Sequence, residues 1–153
     1  MRVGLISDTH GLLREQAVDF LRGSDHIIHA GDTVDPTNLD ALAALAPLTV
    51  VRGNNDRGAW ASALPESATL MLGGVTVHVI HDLKELGIDP GSEGVRVVVA
   101  GHTHKPSHVD RGGVLYVNPG SAGRRRFTLP ISVGELLIED RQVTVRLVTL
   151  DVA

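Results

Sequence analysis

The chain has 153 residues, 42% hydrophobic and 21% charged, with no cysteine and a net charge of -4. That length suffices for one domain, over 1–153, with a core of its own and no staples. The absent thiols exclude disulfides, Cys-zinc sites and thiol nucleophiles, and the acidic balance disfavours a long nucleic acid as partner.

In chain order, "MRVGLISDTH" opens with one basic residue and four or five apolar ones before Asp8, too short for a secretory signal core. No later run reaches the 18 or so apolar residues of a membrane span, so a cytoplasmic location with no membrane partner is expected. "RVGLIS" reads as a buried strand ending in a polar loop, and "LLREQAVDFLRG" as a helix with Leu13, Ala17 and Leu21 on one face. "HIIHAGD" repeats the strand. "DPTNLDALAALA" repeats the helix, with Asp35 as N-cap and Pro36 at the first helical position. "LTVVRGNND" is a third strand, and three such repeats predict a parallel sheet packed by helices.

After Trp60 the pattern changes. "ATLMLGGVTVHVIHD" reads as a hairpin about Gly73-Gly74, "VRVVVAGHTH" as a strand running into a loop, and "SHVDRGGVLYVNPGS" and "VGELLIEDRQVTVRLVTL" as two more hairpins. Four or five strands beyond the parallel three are too many for one sheet on so short a chain. The expected fold is α/β, with two packed mixed sheets and helices outside.

Asp8, His10, Asp32, Asn54, His81, His102 and His104 all follow apolar runs. One Asp-x-His match decides nothing, since roughly 0.6 is expected by chance at this composition. Their shared position is informative, because loops leaving the carboxyl ends of parallel strands converge on one crevice. With no cysteine, any metal must be held by such O and N donors, and seven of them fit two divalent ions sharing a carboxylate.

The ordered blocks "DTH", "GD", "GNND", His81 and "GHTH" resemble the calcineurin-like metallophosphoesterases, most nearly the small YfcE-type phosphodiesterases, over nearly the whole chain. The resemblance implies an αββα sandwich. It assigns Asp8, His10 and His104 to one metal, Asn54, His81 and His102 to a second, and Asp32 to both. Two divalent cations against two carboxylates leave a charge of about +2, which would attract phosphate and acidify a bridging water to the hydroxide that attacks in line. The expected activity is hydrolysis of small phosphodiesters, with Mn²⁺ as first choice and Fe, Ni, Co or Zn as alternatives. A phosphomonoester or dinucleoside polyphosphate is the alternative substrate, and a protein-binding scaffold on the same fold is the alternative function; a homo-oligomer is left open.

Two positions depart from the wider pattern. Asn55 stands where many relatives place a histidine that can protonate the leaving group; Asp56 or a water is the substitute expected on that side. Asp82 replaces a glycine common after the His81 position. His26, His29, His78 and His108 are read as structural, with His29 able to orient the site from behind. "GNNDRG" lacks the Lys and Ser/Thr of a P-loop, "NPGS" at 118–121 reads equally as a turn or a site segment, and Arg124, Arg125 and Arg126 read as a solvated loop.

Overall fold

The computed structural model describes residues 1–152. Five strands form the first sheet: β1 (Arg2–Ile6), β2 (His26–His29), β3 (Leu48–Val50), β9 (Ser132–Glu139) and β10 (Gln142–Thr149), in the order β10-β9-β1-β2-β3. β1, β2 and β3 are parallel as expected, and β9 adds antiparallel to β1. The second sheet has the order β4-β5-β6-β8-β7, from β4 (Ser67–Leu72), β5 (Val75–Ile80), β6 (Val97–Val99), β7 (Ser107–Arg111) and β8 (Val114–Asn118). Seven strands therefore follow the parallel three, rather than four or five. Two-residue turns at Gly73-Gly74, Gly112-Gly113 and Asp140-Arg141, all at positive φ, let each of three short segments supply two arms.

β1 reads as an unbroken apolar run because both its faces are covered. Val3 and Leu5 point between the sheets and meet a layer of Val77, Val79, Val97 and Val99 from β5 and β6. Ile6 lies on the other face with Ile27, beneath α1 (Glu15–Leu21) and α2 (Pro36–Ala43), whose Ala17, Leu21 and Leu42 are buried there. Asp35 caps α2 by accepting from the Thr37 N–H at 3.0 Å, and Pro36 follows at the position that needs no donor. The third crossover holds only α3 (Ala59–Ser62). The outer face of the second sheet carries no α-helix among the described residues; a single 3₁₀ turn (Leu83–Glu85) and the following loop cover it through Leu86 and Ile88.

The second sheet is more parallel than its hairpins imply. β5, β6 and β8 run parallel to one another, with β4 and β7 as antiparallel edges. Both sheets thus offer carboxyl ends of parallel strands, and the site lies where these meet. No helix among the described residues is long and apolar enough to cross a membrane.

Candidate metal centre

Three of the strand ends, those of β1, β2 and β6, deliver their polar groups through a forced backbone. Asp8, His10, Asp32, His102 and His104 have φ of 54°, 47°, 59°, 72° and 64°. Non-glycine residues rarely adopt this left-handed region, and such positions cluster at functional sites. Two glycines let the loops close on one another. A Cβ on Gly53 would collide with the Asp32 backbone and carboxylate, and one on Gly101 would collide with Ser7 Oγ and Asp8 Oδ2. The glycines of "GNND" and "GHTH" are therefore the points at which one loop is packed against another.

All seven side chains expected from the sequence meet. Asp8 Oδ1 lies 3.4 Å from His104 Nε2, 3.8 Å from His10 Nε2 and 3.9 Å from His81 Nε2. His10 Nε2 and His104 Nε2 face each other at 3.3 Å. Asp32 Oδ2 stands between two groups, 3.5 Å from His10 Nε2 and 3.4 Å from His81 Nε2. Asn54 Oδ1 completes the second group, 2.9 Å from His81 Nε2 and 3.1 Å from His102 Nδ1. The floor is buried, with Asp8, Asp32, His81 and His104 all at 4% exposure or less, while Asn54 is exposed at the mouth.

A divalent cation fits this donor set. Asp8 Oδ2 accepts from Ser7 Oγ at 2.6 Å and from the His102 N–H at 3.0 Å, but Asp8 Oδ1 is buried without a hydrogen-bond partner. An orphaned carboxylate oxygen aimed at three imidazole nitrogens is costly unless something positive sits among them. His81 is pre-oriented for the same purpose. Its Nδ1–H donates to the Ala30 carbonyl at 2.7 Å, which turns Nε2 and its lone pair into the site.

The charges agree. Burial pushes the Asp8 and Asp32 carboxyls up, but the facing histidines outweigh it, assisted by Ser7 for Asp8 and Asn55 for Asp32. Asp8 is held well below the usual carboxylate range and Asp32 at about 2. Burial lowers His81, yet Asp32 and Asp8 raise it to about 9. The two carboxylates thus create a field that draws positive charge to this point.

Asp56 does not hold the place expected of it. Its Oδ2 accepts from the Gly53 N–H at 2.8 Å and the Asp32 N–H at 3.1 Å, and its Oδ1 from the Val34 N–H at 2.8 Å. Both oxygens are committed to clamping the β2 loop to the β3 loop and face these three N–H groups rather than the site. Asn55 faces the site instead, its N–H 2.9 Å from Asp32 Oδ1 and its Nδ2 2.8 Å from Asp32 Oδ2.

His29 is the positioning histidine the sequence hinted at. It accepts from the Gly31 N–H at Nδ1 (3.1 Å), so Nε2–H donates to Thr9 Oγ1 at 3.0 Å, and burial pushes it down to about 4, keeping it neutral. His26 and His78 pair with Thr49 and Thr69, and His108 is exposed on β7. "NPGS" ties loops together: Asn118 Nδ2 donates to the Gly101 carbonyl, and Ser121 Oγ to that of Asp8. Ser7 and Ala30 were not marked by sequence reasoning, and only their adjacency to ligand blocks could have flagged them.

This fold and donor set define a phosphoesterase-type metal centre, and comparison with known proteins gives the family. Residues 1–141 match the calcineurin-like phosphoesterase superfamily domain, and the chain belongs to that superfamily. A probable metallophosphoesterase of Methanothermobacter thermautotrophicus is 32% identical over 97% of this chain and 92% of its own. Among solved structures, an archaeal phosphodiesterase superposes with a TM-score of 0.81 at 23% identity, covering 98% of this chain and 100% of the other. Zinc-bound Vps29 of Entamoeba histolytica gives 0.75 at 24% identity, covering 97% and 99%.

Proposed function

We propose that the chain is a single-domain, dinuclear metal-dependent phosphodiesterase acting on small, accessible phosphodiesters. The observation that carries this reading is the Asp32 carboxylate between two imidazole groups, beside the orphaned oxygen of Asp8. Asp8, His10 and His104 would hold one ion and Asn54, His81 and His102 the other, with Asp32 shared. Two divalent cations there supply Lewis acidity toward phosphoryl oxygens and acidify water, so no side-chain nucleophile is required. Mn²⁺ suits the mixed Asp, Asn and His donors, as do Fe, Ni, Co and Zn.

The chain's own residues set the conditions for that chemistry. Asn54 contributes a neutral oxygen and preserves the positive charge that phosphate needs. Asn55 steadies the shared carboxylate through two hydrogen bonds and carries no acidic proton, so leaving-group protonation falls to water. The scaffold reading is favoured only by the fold likeness to Vps29, and the complete donor set weighs against it. Hydrolysis of bis-p-nitrophenyl phosphate by the Mn²⁺-reconstituted chain should vanish in chelator and collapse in His102→Ala. Full activity in chelator would contradict the proposal, and a faster rate on p-nitrophenyl phosphate would move the substrate to monoesters.

A further inference from the structure

A cavity of about 580 Å³ opens beside the metal centre and shares with it the wall formed by Gly101, His102 and Asp82. That volume is within the usual range for small-molecule sites. Its floor is the outer face of the second sheet, where Tyr116 is half-buried above the buried Val98 and Ala100. Leu83, Val109 and Phe127 line it too while remaining exposed at 38%, 42% and 86%. Phe127 also has a φ of 54° in the loop that follows the three arginines. An aromatic ring held open to solvent on a left-handed residue beside a cavity is not explained by packing.

The charges around this cavity favour an anion. Lys84, Arg111 and Arg126 line it against the single carboxylate of Asp82, and the Arg111 guanidinium lies 5.8 Å from the centre of the Tyr116 ring. A second cavity, of about 320 Å³, reaches the centre at Asn54 and His81 and has the opposite character. It is lined by Asp56, Glu66, Asp82 and Glu85, and its one arginine, Arg52, is paired with Glu66 at 2.8 Å. A substrate extending from the centre is repelled on that side and received on the other.

Resting on the phosphodiesterase reading above, we propose that the larger cavity seats a nucleotide group of the substrate. A planar base would lie between Tyr116 and Phe127, against Leu83 and Val109, and its flanking phosphate oxygens would meet Lys84, Arg111 and Arg126. Base-on-aromatic stacking and cation pairing are each strong enough to select such a group over a bare phosphodiester. The acidic net charge disfavours a long polymer, so the substrate class is a short nucleotide conjugate.

The test is an amide-shift titration of the Zn²⁺-treated protein with adenosine 5′-(α,β-methylene)diphosphate and, separately, with methylenediphosphonate, which lacks the nucleoside. The nucleotide should shift Leu83, Val109, Tyr116 and Phe127 and bind at least about tenfold tighter than methylenediphosphonate. Phe127→Ala and Arg126→Ala, both on an exposed loop, should each weaken it about fivefold or more, and Met71→Ala, exposed on β4, should not. Equal affinity for the two probes, shifts confined to Asn54, His81 and His102, unchanged binding in both variants, or shifts driven by protein concentration alone would overturn the proposal. A kinetic arm separates the two readings. Phe127→Ala should raise KM for p-nitrophenyl thymidine 5′-phosphate at least about fivefold more than KM for methyl p-nitrophenyl phosphate, and Met71→Ala should hydrolyse both esters like the parent. Hydrolysis of both esters at one KM overturns the nucleotide seat alone, whereas nucleotide binding in the cavity without hydrolysis of either ester overturns the phosphodiesterase reading alone.

Discussion

Asp8, His10, Asp32, His102 and His104 each give up roughly 1–3 kcal/mol of backbone preference to hold a left-handed turn. Five such residues around one point make sense only if the point is worth assembling. The side-chain types were legible in the sequence because they recur at strand ends, but their backbone angles were not, since Asp and His tolerate many. The same limit explains Asp56. Its neighbourhood in "GNND" gave it a chemical role, and only the three N–H groups around it reveal a clamp. Gly53→Ala should destabilise the chain by about 1–3 kcal/mol in urea unfolding, because the new methyl falls on Asp32, whereas Gly87→Ala, which meets open space, should unfold like the parent. Asp82 is the second residue with a local prediction. Its carboxylate lies 3.7 Å from His102 Nε2, on the side of the ring away from Asn54, where it can orient the ring. Asp82→Asn keeps the cap on the Lys84 N–H but removes the charge, so affinity for the second metal equivalent, read by titration, should fall about tenfold. The first equivalent should not change.

At the scale of elements, the first sheet depends on one acid. Glu135 on β9 is buried between Arg2 of β1 and Arg146 of β10, bonding the latter at 2.8 Å. Burial raises its carboxyl, but the two arginines outweigh this and hold it below its ordinary 4.5. A carboxyl depressed in the folded state contributes stability above its unfolded pKa and loses it as pH falls through the folded value. Thermal unfolding should therefore show Glu135→Gln less stable than the parent at pH 7, with the gap closing below pH 4.5 as the wild-type carboxyl protonates; a gap independent of pH would contradict this. Helix α2 was legible from Asp35-Pro36 and two of the hairpins from Gly-Gly turns, whereas α3 carried no such signal. The parallel run β5-β6-β8 was not, because its crossovers lack the amphipathic helices by which parallel pairing is recognised from sequence.

For the molecule as a whole, two sheets with parallel centres place five strand ends around one crevice. The dispersed order of the blocks carried this much from sequence to site. What lay beyond the sequence was the ground beside the crevice, since Phe127, Tyr116 and Val109 belong to segments that read as loop and hairpin and come together only through the crossing of β8 between β6 and β7. Asymmetry of charge between the two cavities is likewise a property of assembly. The central claim remains the pair of metals sharing Asp32, and electron paramagnetic resonance during Mn²⁺ titration tests it most directly. The wild-type chain should reach two equivalents with the signal of a spin-coupled pair, while Asn54→Ala should retain one equivalent with the six-line signal of an isolated ion. A wild-type titration that saturates at one uncoupled ion, or an Asn54→Ala chain that loses both, would contradict it.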